Sequence, residues 1–212
     1  MQTKHNHSSH FSHLCKAFGI YQTNCYIIQT KKGEFIIDPG ENSTQWILSQ
    51  VKNPLAILIT HGHFDHIFGL ATLHQALPNL PIYAPQADAF MLESDCFDTG
   101  LTPCAPSYMV ACDKNEQVLE IEGIKVSYLH FPGHTPGCSV IVIGGAMYSG
   151  DFIFKRSIGR YDFPYSSAND MRDSLQRFSE LKLEDMEILP GHGESTRLCF
   201  EQNNAKLWSE RI

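Results

Sequence analysis

A cluster of ionisable side chains directly behind an apolar run constrains this chain more than any other feature. Residues 55–59 are apolar and rich in branched side chains, which predicts a buried strand. Three histidines and one aspartate follow at once: His61, His63, Asp65 and His66. So many ionisable groups are costly to bury together without a cation, and imidazole and carboxylate are ligands for zinc and other first-row metals. The segment therefore predicts a metal site at a sheet edge, in preference to a solvent loop or a core histidine.

Three further ligand-type side chains stand beside glycine at the ends of later apolar runs. They are His134 after residues 124–131, Asp151 after residues 147–149, and His192 after residues 186–189. Glycine suits such positions because the backbone can then approach a buried centre closely. A single Pro-Gly-His or Gly-Asp is a weak signal, but four strand ends that each present a ligand form a strong one. The seven ligands are enough for two metal ions.

The composition narrows the classes of partner. A chain of 212 residues with 42% hydrophobic and 18% charged residues fits one globular domain. A net charge of -7 and a pI of about 5.8 argue against nucleic acid, whose phosphates need a basic face. No stretch approaches the roughly 20 apolar residues of a membrane span, so we expect no membrane partner and a cytoplasmic location. Seven scattered cysteines without a Cys-x-x-Cys pair indicate neither disulfides nor a thiolate zinc site.

The order of predicted elements indicates an α/β (α+β) fold of two mixed β-sheets with helices outside. Residues 1–14 are predicted to form a polar, histidine-rich arm, and residues 15–212 a single domain. Paired apolar runs around glycine predict hairpins over 25–37, 116–131 and 140–149. Apolar spacing predicts helices over 43–51, 67–77, 86–93, 169–181 and 195–208. Residues 94–116 are expected to be irregular, either as a flap over a site or as a surface excursion.

The ligand pattern resembles that of the metallo-β-lactamase superfamily, and within it the glyoxalase II (hydroxyacylglutathione hydrolase) type of enzyme. The likeness runs from about residue 20 to residue 193 and implies an αββα sandwich with the site at one edge of the sheets. It also assigns the ligands: His61, His63 and His134 to a first metal, Asp65, His66 and His192 to a second, and Asp151 to the bridge between them. Because the true β-lactamases lack that bridging aspartate, the resemblance disfavours β-lactam hydrolysis.

Two bound divalent ions, zinc above iron or manganese, would supply the chemistry. A bound metal lowers the pKa of water from about 15.7 to near 7, and a second ion polarises the carbonyl under attack. Asp151, touching both ions, would fix their spacing, and Asp65 or a metal-bound water is the candidate proton donor if the substrate is an ester or lactone. A thioester needs less help, because the departing thiolate has a parent pKa near 8.5. Asp38 is either an anchor for a ligand histidine or a structural turn residue.

A loop after Asp151 contains the candidate substrate contacts. In relatives of the glyoxalase II type this loop touches substrate, and here it carries Lys155, Arg156, Arg160 and Tyr165. Basic side chains can pair with an anionic carboxylate, although a solvated basic turn explains them equally well. Those enzymes continue into a helical domain that binds glutathione, whereas nineteen residues follow Gly193 in this sequence, so we expect modest affinity for glutathione substrates.

The sequence therefore predicts a dinuclear metallohydrolase that cleaves a small-molecule thioester such as S-lactoylglutathione. The main alternative is a mononuclear iron persulfide dioxygenase, because the loop after Asp151 also resembles that of those enzymes. A non-catalytic metal-binding protein is the third interpretation, and only the histidine-rich arm supports it.

Overall fold

Two six-stranded β-sheets face each other in the computed structural model, which describes residues 11–112 and 115–212. The strands are β1 (Ser12–Phe18), β2 (Thr23–Gln29), β3 (Glu34–Ile37), β4 (Pro54–Leu58), β5 (Ile82–Pro85), β6 (Tyr108–Val110), β7 (Glu116–Ile121), β8 (Ile124–His130), β9 (Ser139–Ile143), β10 (Ala146–Gly150), β11 (Ile153–Phe154), β12 (Ser157–Ile158), β13 (Glu187–Pro190) and β14 (Thr196–Arg197). The α-helices are α1 (Thr44–Gln50), α2 (Phe64–Ile67), α3 (Leu70–Ala76), α4 (Ala89–Glu93), α5 (Ala168–Ser179) and α6 (Leu198–Ser209), and a 3₁₀ turn spans Gln86–Asp88.

The first sheet has the order β1-β2-β3-β4-β5-β6 and is mixed. Its first three strands are antiparallel, while β3, β4, β5 and β6 run parallel to one another. Because β3 and β4 are parallel, the residues that follow them, beginning at Asp38 and Ile59, meet at one edge of the sheet. This edge carries the histidine-rich loop.

The second sheet has the order β14-β13-β10-β9-β8-β7. Antiparallel pairing of β8 with β9 and of β9 with β10 makes β8 and β10 run in the same direction, and β13 is parallel to β10. The loops after these three strands therefore leave at one edge. Backbone hydrogen bonds join that edge to the first sheet, from Ser139 N to Thr60 O at 3.0 Å and from Asn24 N to Gly191 O at 2.7 Å. Four ligand-bearing strand ends thus converge.

Three apolar layers hold the sandwich together. Alternation along β2 sends Tyr26 and Ile28 into the layer between the sheets, and Cys25 and Ile27 into the layer beneath α1, α3 and α4. A third layer packs β9 and β10 against α5 and α6 around Phe178. Both faces of both sheets are covered in this way. The predicted αββα sandwich of two mixed sheets with outer helices is confirmed.

The prediction of one continuous helix over residues 67–77 is wrong. The structure has two short helices, α2 and α3, separated at Phe68 and Gly69. Gly69 N donates a hydrogen bond to Pro39 O at 2.8 Å, and a Cβ at Gly69 would lie 2.4 Å from Gly40 O. The turn after β3 therefore presses against the chain at this point. A tertiary contact breaks a helix that local periodicity favours.

Two other segments also differ from the expectation. Residues 94–116 are not wholly irregular, because Tyr108–Val110 pairs in parallel with β5 as the edge strand β6. Residues 12–14, expected within the polar arm, belong to β1 and pair with residues 27–29 of β2. The other arm histidines, His5, His7 and His10, lie outside the described residues. Among the residues that are described, no helix is long and apolar enough to span a bilayer.

Candidate metal centre

The first group of candidate ligands combines the loop after β4 with the loop after β8. His61, His63 and His134 are all buried, and each offers a ligand atom within 4.8 Å of the other two. His63 Nδ1 and His134 Nε2 face each other at 2.8 Å. Gly62 permits this packing, since a Cβ there would lie 2.7 Å from Met91 Cβ. The two loops thus present three imidazoles to one point.

The second group combines the first turn of α2 with the loop after β13. Asp65, His66 and His192 offer ligand atoms within 4.8 Å of one another. Asp65 Oδ2 lies 3.5 Å from His66 Nε2 and 3.3 Å from His192 Nε2. Thr23, at the start of β2, donates a hydrogen bond of 2.6 Å to the same oxygen and fixes the carboxylate. Two sheets therefore contribute to this group as well.

Asp151 lies between the two groups. Its Oδ2 atom is 3.6 Å from His134 Nε2 of the first group and 3.3 Å from His192 Nε2 of the second. Its Oδ1 atom is 3.2 Å from His66 Nε2. Gly191 makes the approach possible, because a Cβ at that position would lie 2.2 Å from Asp151 Oδ1. One carboxylate thus faces ligands of both groups.

Several buried polar atoms at the centre lack a hydrogen-bond partner, and this shows whether the residues suit metal ions. Three of the buried atoms without a hydrogen-bond partner in the described residues are candidate ligand atoms of this site: Nε2 of His61, Nε2 of His66 and Oδ1 of Asp151. Buried polar atoms are normally satisfied, and leaving one unpaired costs free energy. Imidazole nitrogen and carboxylate oxygen are the donors that zinc and other first-row divalent ions accept. The residues fit such ions.

Hydrogen bonds on the far side of the rings hold the imidazoles in place. His134 Nδ1 donates to Arg160 O at 2.7 Å, and His192 Nδ1 donates to Tyr21 O at 3.0 Å. Such contacts select a tautomer and orient the ligand atom. His61 Nδ1 lies 3.0 Å from Thr60 Oγ1, which completes the pattern for a third ligand ring.

Asp38 supports His66 in the same manner. Its Oδ2 atom lies 2.9 Å from His66 Nδ1 and accepts a hydrogen bond of 2.6 Å from Thr60 Oγ1, while Oδ1 accepts from Thr60 N at 2.8 Å. Asp38 is buried and has a φ of 49°, a left-handed conformation that aspartate tolerates better than most residues. Its side chain, with both oxygens engaged, is placed to orient a ligand.

Asp88 is a supporting residue that the sequence analysis missed. This buried carboxylate accepts hydrogen bonds from Gly62 N at 2.9 Å, from Thr135 Oγ1 at 2.6 Å and from Gly137 N at 2.6 Å. It therefore ties the histidine loop to the loop that carries His134. Burial raises the pKa of Asp88, and the three donors oppose that rise. In sequence the residue is one polar side chain in a helical stretch, so no local signal identifies it.

The ionisation of the ligands suits cation binding. Burial, reinforced by His134, lowers the pKa of His63 to about 3, so its imidazole is neutral at pH 7. Burial opposes ionisation of Asp65, but neighbouring His66 and His192 outweigh it and lower the pKa to about 2. Burial also disfavours the charged form of His192, yet Asp151 and Asp65 raise its pKa to about 9. Metal binding at this ring would displace its proton.

A cavity of about 380 Å³ opens above the ligands. Its floor contains His63, Asp65, His134, Asp151 and His192, and its walls contain Tyr21, Phe64, Phe97, Thr99, Phe163 and Pro164. The walls come from the β1–β2 turn, from α2, from residues 97–99 and from residues 163–164. Part of the 94–116 segment thus lines the site, one of the two roles considered for it. The cavity gives a small molecule access to both ligand groups.

Comparison with known proteins places this architecture in a family. A sequence model of the Metallo-beta-lactamase superfamily matches residues 18–192, which include all seven candidate ligands. The chain belongs to the metallo-beta-lactamase superfamily.

Several members of the superfamily match nearly the whole chain. An uncharacterized protein of Mycobacterium tuberculosis is 31% identical over 206 residues, covering 87% of this chain and 92% of its own length. A probable metallo-hydrolase of Streptococcus pyogenes is 30% identical, with coverages of 85% and 83%. Hydroxyacylglutathione hydrolase GloC of Haemophilus influenzae is also 30% identical, with coverages of 87% and 92%. Two of these three relatives are named as hydrolases, and the similarity to each covers most of both chains.

Solved structures of the superfamily superpose over the same extent. The BLEG-1 B3 metallo-beta-lactamase has a TM-score of 0.79 and 26% identity, covering 91% of this chain and 97% of its own. TTHA1623, crystallised in a di-iron-bound form, has a TM-score of 0.75 and 30% identity, with coverages of 90% and 98%. ETHE1 from Myxococcus xanthus, at 21% identity and a TM-score of 0.69, shares the fold.

The four residues predicted to contact substrate lie around this superfamily centre and not in its cavity wall. Lys155 and Arg156 line a separate cavity beside β14 and α6, and Lys155 Nζ pairs with Glu194. Arg160 pairs with Asp162 through two hydrogen bonds of 2.9 and 3.0 Å. Tyr165 packs its ring against Phe90 and Phe97 at centroid distances of 5.1 and 5.8 Å. Their contact with substrate stays a prediction.

Proposed function

We propose that this protein is a dinuclear metal-dependent hydrolase that cleaves a thioester, with a glyoxalase II-like arrangement of its site. The position of Asp151 carries the proposal. Its two oxygens lie 3.2 to 3.6 Å from Nε2 atoms of His66, His134 and His192, which belong to both ligand groups. A carboxylate so placed can bind two ions at once. Two adjacent ions suit a displacement at a carbonyl carbon.

The residues of the site have two proposed roles: some bind the metal ions, and others orient those ligands. His61, His63 and His134 would hold one ion, Asp65, His66 and His192 the other, and Asp151 both. When bound, such ions acidify a water and polarise the carbonyl that it attacks. Asp38 keeps His66 turned towards the centre. We propose zinc for both positions, with iron or manganese as the alternatives, and the di-iron form of TTHA1623 gives iron the stronger claim of these two.

The choice of a thioester follows from the leaving group. Asp65, a candidate proton donor, accepts a hydrogen bond from Thr23 at Oδ2, and the same oxygen faces two histidines of the second ligand group. An alkoxide is a poor leaving group without a proton donor, and both carboxylates of this site are proposed metal ligands. A thiolate, with a parent pKa near 8.5, leaves without a donor. The likeness to GloC of Haemophilus influenzae, a hydroxyacylglutathione hydrolase, supports the same choice.

The persulfide dioxygenase alternative requires a single iron. The likeness to ETHE1 concerns the fold alone at 21% identity. The second ligand group, Asp65, His66 and His192, lies close enough together to bind an ion of its own. We therefore favour the dinuclear hydrolase. The cavity above the ligands likewise argues for a reacting enzyme over a non-catalytic metal-binding protein.

Parallel assays on one preparation test the proposal. The metal content of protein purified without added metal is measured, and the same sample is given S-lactoylglutathione and simple acyl thioesters while thiol release is followed. Oxygen uptake with glutathione persulfide is recorded alongside. We expect thiol release from at least one thioester, with no oxygen uptake. Oxygen consumption without thioester cleavage would establish the dioxygenase instead.

A further inference from the structure

The walls of the site cavity are aromatic. Tyr21, Phe64, Phe97 and Phe163 surround the opening above the ligands, and we call these four side chains the aromatic cup. Tyr21 meets Phe64 edge to face at 5.4 Å between ring centroids, and Phe64 meets Phe97 at 6.0 Å. Such edge-to-face contacts stabilise a fixed arrangement of rings. The cup is therefore built before any substrate arrives.

The cup also touches the metal ligands directly. The imidazole of His63 lies 5.3 Å from the Phe97 ring and 5.9 Å from the Phe163 ring. Asp95 holds the loop that carries Phe97, because its carboxylate accepts hydrogen bonds from Thr99 N and Gly100 N at 3.0 and 2.7 Å. A group bound in the cup would thus lie next to the reacting centre.

Much of this apolar surface is open to water. Tyr21 is 53% exposed and Phe163 is 40% exposed. A contiguous apolar surface at the mouth of a cavity is typical of a site that binds an apolar group. Burial of half-exposed rings by a ligand contributes binding free energy.

No lysine or arginine lines this cavity in the described part of the chain. The cation beside its rim is Arg160, whose guanidinium lies 3.9 Å over the Phe163 ring and is paired with Asp162. Lys155 is paired with Glu194, outside the cup. A carboxylate on a group held between these rings would meet no free cation on the wall. Its desolvation would go uncompensated.

We propose that the aromatic cup binds the acyl group of the substrate, and that this group is uncharged and apolar, such as phenylacetyl or isovaleryl. The proposal rests on the proposed thioesterase function and narrows its substrate class. It expects an apolar acyl chain in place of the hydroxylated lactoyl group of S-lactoylglutathione, whose charged groups belong to the glutathione carrier. The thiol carrier then points out of the cavity, so the cup sets the acyl preference.

A matched series of thioesters on one neutral carrier, N-acetylcysteamine, tests this inference with the metal-loaded enzyme. We expect kcat/KM for the phenylacetyl and isovaleryl thioesters to exceed that for the succinyl thioester by about tenfold or more, because an apolar cup favours apolar groups and leaves a carboxylate unpaired. Equal or faster cleavage of the succinyl or lactoyl compounds would overturn the cup proposal and leave the thioesterase function standing.

Binding of a ketone, which cannot be cleaved, tests the cup proposal separately from the thioesterase proposal. Phenylacetone keeps the phenylacetyl group without a leaving thiol, and levulinate carries a carboxylate in its place. We expect NMR titration to show saturable binding of phenylacetone and much weaker binding of levulinate. Binding of phenylacetone with no cleavage of any thioester would support the cup and reject the thioesterase. Failure of phenylacetone to bind would overturn the cup.

Variants of one exposed wall residue complete the test. Phe163→Ala should raise KM for the phenylacetyl thioester about tenfold, with kcat changed less, because the ring contributes binding and no chemistry. Phe163→Lys should raise kcat/KM for the succinyl thioester relative to the phenylacetyl one. Phe200, an exposed phenylalanine in the separate cavity, provides the matched control, and Phe200→Ala should leave both values unchanged. Equal effects of the two alanine substitutions would contradict the proposal.

Discussion

Replacement of Asp88 by asparagine tests how the ligand loops are held. The side chains are nearly isosteric, so the change alters hydrogen bonding and little else. In the protein, Asp88 Oδ2 accepts from Gly62 N and Thr135 Oγ1, and Oδ1 accepts from Gly137 N. Whichever way the amide of asparagine turns, its NH₂ group faces one backbone N–H. A rotating hydroxyl can adapt to that change, but a backbone donor cannot.

The expected cost follows from that count. One buried backbone donor left unsatisfied costs about 1–3 kcal/mol, and the two remaining hydrogen bonds lose the charge on their acceptor. Removing a buried charge recovers part of this, because burial already raises the pKa of Asp88. We therefore expect Asp88→Asn to lower the free energy of unfolding by about 2 kcal/mol, which lowers Tm by roughly 4–8 °C in a chain of this size.

Thermal unfolding of metal-free protein measures the effect without a contribution from metal binding. Asp185→Asn is the control, since that exposed carboxylate also accepts from a backbone N–H, of Cys199, but water can replace it. We expect a smaller change in Tm there. Zinc affinity of Asp88→Asn should fall about tenfold, as is typical when a group supporting metal ligands is lost. A variant that melts within about 1 °C of the wild type and binds zinc normally would refute the reasoning.

Four further outcomes are expected. Elemental analysis after mild dialysis should give about two metal ions per chain, because the ligands form two groups, and a value that stays near one would contradict the dinuclear centre. Asp151→Ala should abolish thioester turnover while circular dichroism shows an intact fold, since its carboxylate faces both groups. Gly191→Ala should lower bound metal in elemental analysis, because its Cβ would lie 2.2 Å from Asp151 Oδ1 and 2.5 Å from His66 Cε1. A chromogenic cephalosporin should stay uncleaved in a spectrophotometric assay if Asp151 bridges the two ions as proposed, and rapid turnover would show that the likeness to BLEG-1 extends to its activity.

The sequence alone determined the layers of the fold and the identity of the candidate ligands. Strands such as β2 and β4 follow from apolar runs bounded by turn residues, which are local properties of the chain. His61, His63, Asp65 and His66 stand out because their chemistry is unusual behind a buried strand, whatever the rest of the chain does. The strand-end pattern also singled out His134, Asp151 and His192, and the structure brings all seven together. The division of the seven into two metal groups and a bridge came from the family resemblance.

Only the tertiary structure decided what surrounds the ligands. Asp88 supports two loops far apart in sequence, and the break between α2 and α3 comes from the turn at Pro39 and Gly40. The sequence also could not predict where the basic side chains after Asp151 lie. The short ribbon of β11 and β12 carries Lys155 and Arg156 towards α6 and away from the cavity. Residue type and spacing define which groups can bind a metal. The direction of a side chain on a loop depends on contacts with distant segments, which no local pattern contains.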